Sequence, residues 1–136
     1  MAHVLLIEDE SRLRMLYRLE LQSEGYRIIE AGTGAEAVRV LESDCPVEAV
    51  ILDLNLPDVK GWQLLNWIAA SRPHVPVIIN TAYSSFREEF RGWQAEAYVV
   101  KSSDLSPLKN ALARCLAAAS QRTQESVIEF KRARFE

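Results

Sequence analysis

Four short apolar runs in this 136-residue chain give way to polar residues capable of chemistry. Val4-Leu5-Leu6-Ile7 leads to Glu8-Asp9, Ala49-Val50-Ile51-Leu52 to Asp53, Val77-Ile78-Ile79 to Asn80-Thr81, and Ala97-Tyr98-Val99-Val100 to Lys101. If brought together, Glu8, Asp9 and Asp53 would repel one another and take up protons unless a cation compensated them. Mg²⁺ takes few carboxylates, keeps several waters and shares its shell with phosphate oxygens, so these three are expected to hold it. Lys101 can pair with Asp53 and later with a transferred phosphoryl oxygen, and Thr81 offers a hydroxyl to the same anion. Singly, each residue has a plainer reading. Glu8-Asp9-Glu10 suits a helix start, where acidic groups favour the dipole, Lys101 suits a solvated surface, and Thr81 suits a strand end or cap. Their shared place after apolar runs selects the reading as a site.

That convergence requires the runs to be strands of one parallel sheet, since ligands of open α/β sheets collect at the strands' carboxyl ends. Short apolar runs alternate with longer stretches of helical periodicity, the rhythm of repeated βα units. The runs beginning at Val4, Ala49 and Val77 are continuously apolar, as central strands covered on both faces must be. Tyr26-Arg27-Ile28-Ile29-Glu30 is mixed and suits one edge, while Ala97 to Val100 closes the other. The expected fold is therefore α/β, a doubly wound sheet of five parallel strands.

Five helices are expected between and after the strands. Residues 11–24 carry Leu13, Leu16, Tyr17, Leu19 and Leu21 and stop at Gly25. Thr33 caps a second helix through Leu41, with Ala37, Val38 and Leu41 inward, and Gly61 to Ala70 forms a third around Leu64, Leu65 and Ile68. Ser84 or Ser85 opens a short fourth helix carrying Phe86, Phe90 and Trp93. Ser103 opens a fifth through about Ala119, with Leu105, Leu108, Leu112 and Leu116 as its ridge. Residues 1–120 then form one domain, and 121–136 extend the last helix or act as a linker.

Composition narrows the function. A net charge of −3 argues against nucleic-acid or membrane binding by bulk attraction, and the Lys131-Arg132-Ala133-Arg134 cluster reads as a solvated terminus. Cys45 and Cys115 are expected to be reduced packing residues. The start of the chain lacks the charged and long apolar regions of a signal peptide, and no run has membrane-spanning length, so a cytoplasmic location is expected. His3 and His74 are too few and scattered for a metal site.

Glu8-Asp9 after the first strand, Asp53-Leu54-Asn55-Leu56-Pro57 with Gly61, Thr81-Ala82 after the fourth strand and Tyr98-Val99-Val100-Lys101 together resemble the receiver domain of bacterial two-component response regulators, over residues 2–119. The resemblance implies a flavodoxin-like (βα)5 sheet with strand order 2-1-3-4-5. It implies that Asp53 is the phosphoacceptor, that Glu8, Asp9, Asp53 and the Asn55 backbone carbonyl hold Mg²⁺, and that Lys101 and Thr81 bind the phosphoryl group. It implies a regulatory switch rather than an enzyme. Thr81 moves toward the phosphate and Tyr98 turns inward, shifting the face made by the fourth helix, fifth strand and fifth helix. A histidine kinase or histidine phosphotransfer protein would be the donor and a downstream effector protein the target, with a homodimer through that same face. Tyr83 could shield the acyl phosphate from water. Ser102 departs from the proline usual after the lysine, which leaves either a cis or a trans peptide open there. A stand-alone receiver, the amino-terminal part of a longer regulator such as a transcription factor, and a binding-only receiver all suit the sequence. A cofactor binder of the same fold would need a Gly-, Ser- or Thr-rich first loop in place of Glu8-Asp9-Glu10. A dehalogenase-type phosphatase would need an aspartate where Asn55 stands.

Overall fold

Parallel strands covered on both faces need apolar side chains at nearly every position. β1 (His3–Ile7), β3 (Ala49–Leu52) and β4 (Val77–Thr81) are buried almost throughout. The computed structural model describes residues 1–83 and 94–135. With β2 (Arg27–Ala31) and β5 (Ala97–Val100), whose residues are more exposed, these strands form a parallel sheet in the order β2-β1-β3-β4-β5. The expected class, strand count and order are all present. Register aligns the strand ends: Ile7 lies beside Ala31 and Leu52, Leu52 beside Ile79, and Thr81 beside Val100. The polar residues that follow are thereby delivered to one edge of the sheet.

Side chains alternate across the strands and build two core layers. Leu5, Ile7, Val50, Leu52, Val77 and Ile79 pack with Ala37 and Leu41 of α2 (Gly34–Glu42) and with Leu64, Leu65 and Ile68 of α3 (Gly61–Ser71). Val4, Leu6, Ala49, Ile51, Ile78 and Val99 pack with Tyr17 and Leu21 of α1 (Ser11–Ser23) and with Leu108, Ala111, Leu112 and Cys115 of α4 (Ser106–Phe135). Cys45 and Cys115 are free thiols, the second one buried.

The helix boundaries follow local chemistry. Gly25 takes φ 98°, a conformation open to glycine, and ends α1 where expected. Thr33 Oγ1 accepts the Glu36 amide at 3.1 Å and caps α2. Along α1, Leu16 and Leu19 are exposed, because Leu13, Tyr17 and Leu21 recur every four residues and form the inward stripe. One expectation needs correction. The last helix starts at Ser106 rather than Ser103, since the Asp104 carboxylate accepts the Ser106 amide at 3.0 Å and Lys109 donates to the Leu105 carbonyl at 3.0 Å. α4 runs past Ala119 to Phe135, as neither glycine nor proline interrupts residues 120–135. The helix expected from Ser84 or Ser85, with Phe86, Phe90 and Trp93, lies outside the described residues. No helix among the described residues is long and apolar enough to cross a membrane.

Candidate functional site

The sheet hands its carboxylates to the edge by continuing its own ladder. Glu8 donates its amide to the Ala31 carbonyl and Asp53 to the Ile7 carbonyl, both at 3.0 Å, so the residues leaving β1 and β3 are held in register. One carboxylate oxygen each from Glu8, Asp9 and Asp53 lies within 4.8 Å of the others. Glu8 is 2% exposed and Asp53 4%, whereas Asp9 is open to solvent. The cluster is thus closed at its base and accessible at its rim.

Lys101 enters from β5. Its amide donates to the Thr81 carbonyl at 2.7 Å, and its Nζ lies 2.5 Å from Glu8 Oε1 and 3.1 Å from Asp53 Oδ2. The peptide between Lys101 and Ser102 is trans, and the side chain reaches both carboxylates from that arrangement. Burial opposes the charge on Lys101, but the contacts with Glu8 and Asp53 outweigh it and hold its pKa above the ordinary value. Burial drives the Glu8 carboxyl from 4.5 up to about 7 against the pull of Lys101, with the charge of Asp53 adding to the rise. Glu8 Oε2 accepts the Glu10 amide at 3.1 Å, while buried Oε1 has the ion pair but no aligned hydrogen bond. Three carboxylates against one ammonium, with one oxygen under-satisfied and one residue facing solvent, fit a hard, oxygen-seeking cation.

The loop after Asp53 is drawn tight. Asn55 donates its amide to Asp53 Oδ1 at 3.1 Å, and Asn55 bridges to Lys60 across the loop. Gly61 donates to the Leu54 carbonyl at 3.3 Å, and a Cβ at Gly61 would lie 2.5 Å from the Leu54 Cα. Only a residue without a side chain lets the chain return so closely, which accounts for Gly61 at this spacing.

Thr81 is wholly buried, and its Oγ1 accepts the Tyr83 amide at 3.3 Å. Tyr98 packs beside the α2 and α3 core layer and donates its hydroxyl to the Tyr83 carbonyl. Thr81 and Tyr98 therefore bond the two sides of one residue, while the Tyr83 ring itself is exposed. Of the residues singled out in the sequence, Glu8, Asp9, Asp53 and Lys101 meet directly. Asn55 joins through Asp53, and Thr81 joins through the Lys101 backbone.

Three supporting contacts went unread in the sequence. Arg14 Nη1 donates to the Glu8 carbonyl at 2.8 Å and its Nε lies 3.4 Å from Glu30, steadying the acidic turn. Tyr17 is buried with its hydroxyl facing the buried Asn80 side chain, and burial raises its pKa. Asn80 interrupts the apolar run of β4 and, once buried, had to find a partner; that was the available signal. Asp58, at the tip of the loop after Asp53, accepts the Gly34 and Ala35 amides of α2 at 2.9 and 3.0 Å.

Comparison with known proteins agrees with this geometry. The response regulator receiver domain family matches residues 4–113. The chain is 34% identical to the transcriptional regulatory protein GlrR of Escherichia coli over 93% of its length and 30% of the relative's, and 34% identical to the transcriptional regulatory protein KdpE of Mycobacterium tuberculosis over 95% of its length and 56% of the relative's. It thus spans less than two thirds of these curated relatives. Among solved structures, the response regulator protein TrrA from Thermotoga maritima in complex with Mg(2+)-BeF superposes with a TM-score of 0.78 at 34% identity, over 85% of this chain and 99% of that one. TrrA has also been solved in complex with histidine kinase ThkA, where it matches at a TM-score of 0.79 and 35% identity over the same shares. The sheet order, the acidic edge with its lysine and the match over residues 4–113 lead to one assignment: the chain belongs to the response regulator receiver domain family of two-component signalling.

Proposed function

We propose that Asp53 is the phosphoacceptor of this receiver. The observation that carries the reading is the placement of Asp53: a nearly buried carboxylate, 3.1 Å from the Lys101 ammonium and grouped with Glu8 and Asp9. A carboxylate oxygen of Asp53 attacks phosphorus on a phosphohistidine. The new P–O bond forms as the P–N bond breaks, the electron pair leaves with the imidazole nitrogen, and that nitrogen takes up a proton. Glu8, Asp9, Asp53 and the Asn55 carbonyl would hold Mg²⁺, as supported by their grouping and by the Mg(2+)-BeF complex of TrrA. When bound, it offsets charge on the transferring group. Lys101, against Asp53 Oδ2 and Glu8 Oε1, supplies a fixed positive charge already in place before transfer, so little reorganisation is needed.

The Thr81 hydroxyl turns toward the new phosphoryl oxygens and gives up its bond to the Tyr83 amide. The same residue accepts the Tyr98 hydroxyl, so release of Tyr83 lets the Tyr98 ring change position and biases the surface around β5 and α4. The domain acts as a regulatory switch and not as an enzyme with a turnover substrate. Its donor is a histidine kinase or phosphotransfer protein, consistent with the ThkA complex of TrrA. Its readout is an effector protein or a second copy docking on that surface, and its location is cytoplasmic. Residues 1–120 make up the receiver, and the part of α4 from residue 121 to 135 is a helical extension of it. The same switch serves equally as the receiver portion of a longer regulator, a reading consistent with relatives that are transcriptional regulatory proteins.

Incubation with phosphoramidate, which presents a P–N bond like that of phosphohistidine, tests the reading. Labelling that is lost on treatment with hydroxylamine, as an acyl phosphate would be, supports it. Label that withstands hydroxylamine, or that persists in Asp53→Asn, contradicts it.

A further inference from the structure

The first four amides of a helix have no partner within it, and something else must accept them. In α2, capped by Thr33, those amides include Gly34, Ala35 and Glu36, and their partners come from two places. Thr33 serves Glu36 through its side chain at 3.1 Å, while its carbonyl begins the helical ladder by accepting the Ala37 amide at 3.2 Å. Gly34 and Ala35 are served from 24 and 23 residues away by the two oxygens of Asp58. Asp58 lies midway between Asn55 and Gly61 in the tight loop after Asp53. Its neighbour Val59 seals the contact: a Cβ at Gly34 would meet Val59 Cγ2 at 2.5 Å, so the loop tip sits directly on the helix backbone.

We propose that Asp58 is a positioning residue of the metal-binding loop, tying its tip to the amino end of α2 and thereby fixing the Asn55 carbonyl and the affinity for Mg²⁺. The inference rests on the metal reading above. The base of the loop is already fixed, by the Asn55 amide on Asp53 Oδ1, the bridge to Lys60 and the close return at Gly61. A loop held only at its base can still rock, and Asp58 removes that freedom at its far end. The bond is charge-assisted and lies along the helix dipole. The Gly34 and Ala35 amides hold the Asp58 carboxyl below its usual value, so it is ionised wherever the site would bind a cation. A support of this kind acts on the cation through a ligand it orients, without touching it.

The test titrates Mg²⁺ into the full chain and reads binding from tryptophan fluorescence, Trp62 following Gly61 directly in α3. Asp58→Ala is expected to weaken Mg²⁺ binding on the order of tenfold, the usual cost of losing a support behind a metal ligand. Asp58→Asn keeps one acceptor oxygen and is expected to recover part of the loss. Arg72→Ala is the control. Arg72 Nη2 bonds the Leu41 carbonyl at 2.5 Å at the opposite end of α2, so its loss loosens the helix without touching the loop, and wild-type affinity is expected. Unchanged affinity in Asp58→Ala would overturn the proposal, as would an equal loss in Arg72→Ala, which would make the effect one of helix stability. A wild-type chain that binds no Mg²⁺ would overturn the metal reading itself and this inference with it.

Discussion

Glu8 is an acid buried at 2% exposure beside a second carboxylate, and its titration should be legible in the stability of the metal-free protein. Its carboxyl rises from 4.5 in an open chain to about 7 in the fold, chiefly through burial. The native state therefore binds the Glu8 proton more tightly than the unfolded state does. Between about pH 4.5 and 7 the native protein holds more protons, so stability falls as pH rises through that window and levels off above it. A rise of about 2.5 at about 1.4 kcal/mol each gives about 3–4 kcal/mol over the whole window. Glu8→Gln keeps the shape and removes the titration. Urea denaturation followed by tryptophan fluorescence, in chelator at about pH 5 and about pH 8, would compare the two proteins. The variant is expected to gain about 2–3 kcal/mol on the wild type between those pH values, and saturating Mg²⁺ to close most of the gap by replacing the proton. A stability difference that does not change with pH would refute the account of Glu8 as a strained, cation-seeking carboxylate.

Lys101→Met leaves Glu8 and Asp53 without their cation; metal-free stability at pH 8 should fall by about 3 kcal/mol, and the rate of phosphoryl transfer about a hundredfold, measured by urea melts and by rapid quench. Tyr83→Ala removes an exposed ring next to Thr81 and should shorten the lifetime of the phosphorylated form, read as loss of label over time; an unchanged lifetime removes the shielding role. Leu112→Ala opens a cavity in the α1 and α4 core layer and should cost about 2–5 kcal/mol, while Leu19→Ser, on the exposed side of α1, should stay within about 0.5 kcal/mol by the same melts.

The features legible in the sequence are those in which one residue type answers to one physical demand. Continuous apolar runs marked β1, β3 and β4 because both faces of those strands are buried, and the mixed run at Tyr26 marked an edge. Gly25 and Thr33 announced a helix end and a helix start through backbone conformation and a short hydroxyl. Glu8, Asp9, Asp53 and Lys101 could be placed together because strand ends in a parallel sheet share an edge. What stayed hidden depends on pairings distant in sequence. Asp58 belongs to α2 only because the loop folds back across it, and buried Asn80 faces a tyrosine 63 positions earlier. Leucine content alone does not mark the buried face of α1, where position around the helix decides between Tyr17 and Leu16. Ser103 lost the start of α4 to the charged acceptor beside it, Asp104.

The claim that Asp53 is the switch is tested most directly by the intact mass of the chain after incubation with acetyl phosphate, with and without Mg²⁺, for wild type and Asp53→Asn. The account predicts one added phosphoryl group in wild type with Mg²⁺ and none in the other three samples. A folded wild type that gains nothing, or an Asp53→Asn variant that gains the same mass, would contradict it.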